Sequence, residues 1–349
     1  MSKLRAGIIG AGRPHRTQGA TGSGMSHIHA RAYTLSPDSE LVAVADIVEE
    51  NAKAFQEEHS VAESYTDYNE MLSKANLDIV SVCTWPHLHA PMVLDCARAK
   101  IRAVHCEKPV STTFGDAKLM VEACEASGTQ LTFNHQRRFG TPFRKAKELL
   151  KAGRIGELQR LEARTGNLYD WGTHWFDMMF FYNDENPVEW LIGQVEPRGS
   201  KTIFGAPLES QGIAYWKWQN GVYGQMNTGF EAGPWAENTL IGTEGRIEVG
   251  APGNINLRIW GKGQSDWEII ETEDGLHGDQ HIYKAIQDAI DALNQNREPE
   301  LAARRALQTT ELIFATYESS RRRGRVTFPL HIEDSPLVEL IESVKEGAE

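Results

Sequence analysis

Two hydrophobic periods take turns over the first 135 residues, and no other feature limits the fold so tightly. "LRAGIIG" (4–10), "LVAVADI" (41–47), "LDIVSVCT" (77–84), "IRAVHCEK" (101–108) and "TQLTFNH" (129–135) are short, β-branched and almost continuously apolar. A strand with one wet face alternates apolar with polar residues. These runs do not, so they read as strands buried on both faces of a parallel sheet. The helical stretches "SHIHARAYTL", "IVEENAKAFQEEH", "DYNEMLSK", "PMVLDCARAK" and "GDAKLMVEACEASG" lie between them. Such alternation predicts βαβ units and a doubly wound sheet.

After about residue 136 the pattern changes. "LQRLEARTG", "GIAYWKWQNGVYGQMNTGF", "ENTLIGTEGRIEVG" and "INLRIWGKG" are rich in alternation, and "QNG" at 219–221 is a hairpin signal. They predict a mainly antiparallel sheet with one solvated face, followed by helices over "DQHIYKAIQDAIDALNQ", "AARRALQTTELIFATYESSRRRG" and "SPLVELIESVKEG". The expected division is therefore 1–135 for an α/β domain and 136–349 for an α+β domain built on an open sheet. Acidic residues outnumber basic ones by 48 to 36, which excludes a nucleic-acid or anionic-membrane surface as the main business of the chain. No apolar run approaches the roughly 18 residues of a membrane span. The N-terminus passes almost directly into a strand, and the four cysteines show no CxxC spacing. Both point to a reduced, cytoplasmic protein.

The stretch "GIIGAGRPHRTQGATGSGMSHIH" opens like a dinucleotide-binding turn and then departs from it. Gly10 and Gly12 end the first strand, where one glycine makes the tight turn and the next lets backbone approach a pyrophosphate. The third position of G-x-G-x-x-G is His15, and the helix is expected near Ser26, small enough for that last role. Thirteen residues separate Gly12 from Ser26 where the motif has two. Asp46 lies 34 positions past Gly12, and excising the 11 extra residues leaves 23, near the expected separation of about 20. A carboxylate there accepts from a ribose 2′-hydroxyl and repels a 2′-phosphate, and no arginine follows it, so NAD is favoured over NADP. The inserted loop carries Arg13, His15 and Arg16 and is either a cofactor clamp or plain solvent loop.

Two further motifs carry chemistry. "HCEKPV" (105–110) ends the fourth of the expected strands, which delivers Lys108 to the carboxyl edge where open α/β sheets bind ligands. In "NLYDWGTHWFDMM" (167–179), Asp170 and His174 are four apart and share a face if the stretch is helical. A carboxylate beside an imidazole fixes its tautomer and supports a general base. Asp177, one turn on, is the other candidate for that orienting role. The pairs His27/His29 and His87/His89 bring no third ligand at suitable spacing, so no metal is expected.

Taken together, "GIIGAG", "ADI", "YTDYNEML", "DIVSVCT…PHLHA", "CEKP", "DWGTHWFD", "IGTEGRIEV" and the C-terminal helix resemble, in order and spacing, the Gfo/Idh/MocA family of glucose–fructose oxidoreductases and inositol dehydrogenases. The resemblance implies an N-terminal Rossmann domain, a C-terminal sheet that serves as the interface of a homodimer or homotetramer, and hydride transfer between NAD and a carbinol of a sugar or cyclitol. It makes Lys108, Asp170 and His174 catalytic, and adds Thr84, His87 and Glu107 to Gly10, Gly12, Ser26, Asp46 and Lys108 around the cofactor. Trp85, Arg137, Arg138, Trp171, Trp175 and Asp177 fall where a substrate would lie. The same residues would serve an NAD-dependent glycosidase that uses transient oxidation; a silent NAD-binding sensor need not retain them. The inserted loop, and Trp85 where relatives carry proline, depart from the family pattern.

Overall fold

The computed structural model describes residues 3–20, 22–199, 201–229 and 235–346. The chain divides into two compact units: Met1–Thr112, Asp116–Gln136 and Asp279–Leu307 form the first, and Thr113–Gly115, Arg137–Gly278 and Gln308–Glu349 the second.

In the first unit the order is β1 (Leu4–Ile9), α1 (Met25–Leu35), β2 (Ser39–Ala45), α2 (Glu49–His59), β3 (Glu63–Tyr65), α3 (Tyr68–Lys74), β4 (Ile79–Val82), α4 (Pro86–Arg98), β5 (Ala103–Cys106), α5 (Phe114–Ser127) and β6 (Gln130–Phe133). The strands pair in parallel as β3-β2-β1-β4-β5-β6. The order reverses between β1 and β4, the switch point at which doubly wound sheets bind ligands beyond the strand ends. The continuous apolar runs are β1, β2, β4, β5 and β6. The edge strand β3 was not among the expected ones, because "ESY" is three residues long and half-buried throughout.

The helix Asp279–Gln295 returns to this unit. Its buried Ile282, Ala285, Ile286, Ala289 and Ile290 form one stripe, and the isoleucines join Ala30, Tyr33 and Phe55 in a single cluster. Burial of each isoleucine stabilises by about 1.5–3 kcal/mol. A cut at 135 leaves this helix with the other unit; a periodicity says that a stripe is buried but not against what.

The second unit holds α6 (Thr141–Lys151), β7 (Leu158–Arg164), α7 (Gly172–Tyr182), β8 (Val188–Glu196), β9 (Lys201–Ile203), β10 (Ala206–Leu208), β11 (Gln211–Trp218), β12 (Tyr223–Asn227), β13 (Asn238–Gly242), β14 (Arg246–Ala251), β15 (Ile255–Trp260), β16 (Glu268–Ile269) and β17 (Val326–Thr327). The remaining helices are α8 (Asp279–Gln295), α9 (Ala303–Arg322) and α10 (Pro336–Glu346). Nine strands make one open sheet, β16-β15-β14-β13-β7-β12-β11-β8-β17, and β9 and β10 a separate hairpin. Every pair in the large sheet is antiparallel except β7 with β12. The expected hairpin at 219–221 joins β11 to β12, with Gly221 at φ +89°. Along β11, Ala214, Trp216 and Trp218 are buried while Ile213 is exposed. The inward rings meet α7, whose residues are all buried, through Phe176–Trp216 and Phe180–Trp218 contacts.

Candidate active site

Gly10 leaves β1 at φ +89°, and a Cβ on it would stand 2.8 Å from Thr84 Cγ2 and 3.0 Å from the Cys83 carbonyl oxygen. Only glycine fits where the ends of β1 and β4 come so close. Gly12 follows at φ +57°, with nothing within 4 Å of the place a Cβ would take. Its amide donates to Asp46 Oδ2 at 2.8 Å, and the Val48 amide donates to Oδ1 at 2.9 Å. The carboxylate at the end of β2 is thereby turned toward the glycine turn. Helix α1 starts at Met25 behind Gly24, a left-handed N-cap residue, and its first turn has no side-chain cap and no acidic residue. Such an end favours an anion.

The inserted loop folds back on itself. Ser26 Oγ donates to the Ala11 carbonyl at 2.5 Å, closing the excursion at its base. Arg13 donates to Asn51 Oδ1 of α2 and to the Gln18 carbonyl, and Thr17 Oγ1 to the Pro14 carbonyl. A Cβ on Gly24 would lie 2.8 Å from the His15 amide nitrogen, so the loop packs on its own backbone there. Thr21 lies outside the described residues.

The Lys108 turn is held from beneath. Glu107 is 5% exposed. Its Oε1 accepts from His29 Nε2 at 2.9 Å and from Asn134 Nδ2 at 2.7 Å, while Oε2 accepts from the Lys108 amide at 3.2 Å. Burial pushes this carboxyl up, but its bonds and charge interactions with His29, then Asn134 and Lys108, outweigh burial and set it at about 2. His29 is further fixed by Ser81 Oγ at 3.0 Å. Half-buried Lys108 precedes Pro109 across a cis peptide. The fully buried His89 lies in the same region with a ring nitrogen 3.1 Å from each of the Thr84 and Val110 carbonyl oxygens, and its ring N–H donates to one of them.

In the second unit, Asp170 sits in the turn before α7 and His174 in the helix's first turn, each 4% exposed. Asn167 builds the turn: its Oδ1 accepts from the Asp170 and Trp171 amides at 2.6 and 3.2 Å, and its carbonyl from the Gly172 amide. A Cβ on Gly172 would lie 2.7 Å from that carbonyl oxygen. Glu209, 3% exposed, supports the turn: it accepts from the Leu168 amide at 2.5 Å, Thr228 Oγ1 at 3.1 Å and Tyr317 Oη at 2.9 Å. Burial pushes the Glu209 carboxyl up from its ordinary value, against these donors.

Arg137 and Arg138 are both buried, but differently. Arg138 meets Asp177 bidentately at 2.8 and 2.7 Å and also Glu185. Arg137 lies over the Trp175 ring at 3.8 Å, with Trp171 at 5.7 Å and Glu237 at 3.7 Å. Its Nε and Nη1 make no hydrogen bond among the described residues, and burial lowers its pKa to about 10.

The model of an oxidoreductase family with an NAD-binding Rossmann fold matches residues 4–135, and that of the family's C-terminal alpha/beta domain matches residues 157–328. The chain belongs to the Gfo/Idh/MocA oxidoreductase family. Among its curated relatives, the myo-inositol 2-dehydrogenase of Thermotoga maritima is 27% identical, over 80% of this chain and 82% of that protein. The inositol 2-dehydrogenase of Pseudomonas savastanoi pv. phaseolicola is 32% identical over 54% of each chain. Among solved structures, the WlbA dehydrogenase of Bordetella pertussis, in complex with NADH and UDP-GlcNAcA, aligns with a TM-score of 0.75 at 23% identity, covering 94% of this chain and 99% of that one. At that identity the likeness speaks for the fold alone.

In this Gfo/Idh/MocA protein the glycine turn fits NAD: Gly10 admits no side chain, Gly12 is bare above its backbone, and Asp46 is aimed at the turn. Glu107 is engaged with His29, Asn134 and the Lys108 amide, and so shapes the lysine turn. Ser26, 3% exposed in the first turn of α1, also closes the inserted loop. Two sequence expectations need correction. Arg138 and Asp177 neutralise one another in the interior, which removes both from the substrate residues and Asp177 from the orienting role. Thr84 packs beside Gly10, His87 is exposed at the start of α4 with its ring edge-on to Trp85, and Trp171 is 46% exposed whereas Trp175 is buried. Sequence reasoning missed Asn167 and Glu209. The asparagine ahead of "DWG" was the one available signal; nothing local marks Glu209, whose partners lie 19, 41 and 108 residues away.

Proposed function

We propose that the protein is an NAD-dependent dehydrogenase of a carbinol in a sugar, sugar derivative or cyclitol. The observation that carries this reading is the entry to α7, where a carboxylate and an imidazole four residues apart are buried and held by Asn167 and Glu209. The names of the curated inositol dehydrogenases support the substrate class. Bound NAD supplies the hydride acceptor. Lys108 holds the reacting oxygen and favours its alkoxide-like form. His174 takes the hydroxyl proton, and returns it in the reducing direction, while Asp170 orients His174. Such proton transfer is worth roughly 10²–10⁴ in rate. Asp46 receives the ribose hydroxyls and disfavours a 2′-phosphate. Arg137, with hydrogen-bonding capacity to spare on the face of Trp175, meets a substrate hydroxyl or carboxylate.

We further place the protein in the cytoplasm as a homo-oligomer. No helix among the described residues is long and apolar enough to cross a membrane. The four cysteines are unpaired thiols, as a reducing compartment keeps them. The outward face of β8, β11 and β12 carries Ile192 and Ile213, 51% and 46% exposed, beside Trp190 and the stacked Tyr215–Tyr223 pair. A second copy would cover such a face.

The test is nicotinamide absorbance with NAD and a panel of inositols, free sugars and glycosides. NADH accumulating with inositols or free sugars is the expected result. Glycoside cleavage without net NADH would replace dehydrogenation with redox-assisted hydrolysis.

A further inference from the structure

Away from the lysine turn, the end of α2 meets the start of α1 in a group of three metal-ligating side chains. His27 Nδ1 lies 2.9 Å from His59 Nε2 and 3.3 Å from Glu58 Oε2, and His59 Nε2 lies 3.6 Å from Glu58 Oε1. His27 is 4% exposed and the His59 side chain 8%, while that of Glu58 is 46% exposed and opens to solvent. Two ligands on a tetrahedral Zn²⁺, each at 2.0–2.1 Å, stand about 3.3–3.4 Å apart. The His27–His59 and His27–Glu58 separations lie at or below that edge length; His59 is measured to the other carboxylate oxygen, and one ligand atom from each of the three residues lies within 4.8 Å of the other two.

We propose that His27, Glu58 and His59 bind a divalent late transition-metal ion, Zn²⁺ in the first instance. Without a metal, one imidazole N–H bridges to the other ring at 2.9 Å, with the Glu58 carboxylate 3.3 Å from His27 beside them. An ionised Glu58 can only accept, and a neutral imidazole can direct a single ring proton toward the group. A cation in their midst satisfies one lone pair from each. Two imidazoles and a carboxylate suit the borderline softness of Zn²⁺ and leave a fourth position to water on the side where Glu58 is exposed. The rings are already placed. Phe55 packs on both, at 4.8 Å from His27 and 4.5 Å from His59. Arg31 is the opposing charge nearby, and its guanidinium is turned to Tyr283 and Asp279, each at 3.3 Å.

The local sequence hid this site. His27 and His29, two apart on a helix, point to different faces, and His29 is engaged with Ser81 and Glu107. The missing ligands for His27 come from 31 and 32 residues further on, and only the α1–α2 contact brings them together. A bound ion there would brace the first turn of α1, the helix that follows the glycine turn, against the end of α2.

The test uses the full chain, stripped with chelator and dialysed, then titrated with Zn²⁺ against a chromophoric competitor and separately with Co²⁺. The expected result is one tight equivalent of Zn²⁺, with Co²⁺ giving the visible absorption of a low-coordinate site. Glu58→Gln removes a half-exposed carboxylate without opening the core, and it should weaken binding by at least about tenfold; His59→Gln should do the same. The variants' NAD affinity reports that they remain folded. Absence of a tight equivalent, or equal affinity in wild type and Glu58→Gln, would overturn the proposal.

Discussion

Glu107 and Glu209 are both buried glutamates, and each holds the turn that presents a candidate catalytic group, yet their electrostatics are opposite. Glu107 meets His29, Asn134 and the Lys108 amide, and its carboxyl is held at about 2. Among the described residues Glu209 meets neutral donors, including the Leu168 amide, Tyr317 and Thr228, and burial wins, pushing its carboxyl up. The difference teaches that hydrogen bonds alone do not settle the charge of a buried carboxylate. The partners' own charge and number do.

Glutamine at each position separates the two cases. Glu107→Gln sets an amide NH₂ against either the Lys108 N–H or the His29 and Asn134 donors, whichever way it flips. It should cost about 2–3 kcal/mol in urea unfolding. Glu209→Gln keeps one oxygen for Leu168 and Thr228 and can donate to the Tyr317 oxygen, because that hydroxyl rotates. Its cost should stay below about 1 kcal/mol. Equal costs would erase the distinction.

The pH dependence should differ in sign. The folded pKa of Glu107 lies below its ordinary 4.5, so its contribution is present above that value and lost as pH falls toward 2. The folded pKa of Glu209 lies above 4.5, so its contribution is complete below 4.5 and lost as pH rises from there through the folded pKa. Urea midpoints between about pH 3 and 7 should therefore show a flatter acid limb for Glu107→Gln, and for Glu209→Gln a gain relative to wild type as pH rises.

Asn167→Ala probes the same turn from its backbone side. It removes the cap that receives the Asp170 and Trp171 amides, and should lower stability by about 1 kcal/mol while slowing turnover through a misplaced Asp170. A turnover rate equal to wild type would detach the turn from catalysis.

The two supports also differ in how visible they were. Glu107 stands beside Lys108 in "CEKP" at the end of a buried strand, so the motif that marked the lysine carried its support with it. Glu209 reaches Leu168 across 41 residues, a pairing set by sheet order, which periodicity does not encode. The same limit explains α8, whose apolar stripe was legible but not its packing on α1, and Arg138 and Asp177, whose charges suggested ligand contact until the fold placed them against each other. The strands β1, β2, β4, β5 and β6 and the hairpin at Gly221 were legible because their signals are local.

The central claim is that Lys108 and His174 handle the proton of a carbinol while NAD takes the hydride. Its most direct measurement is the rate of NADH formation by wild type, Lys108→Ala and His174→Asn on the best substrate of the panel, with NAD affinity measured alongside. The account predicts that turnover falls by roughly 10²–10⁴ in both variants while NAD still binds. Turnover within a few-fold of wild type in either variant would contradict it.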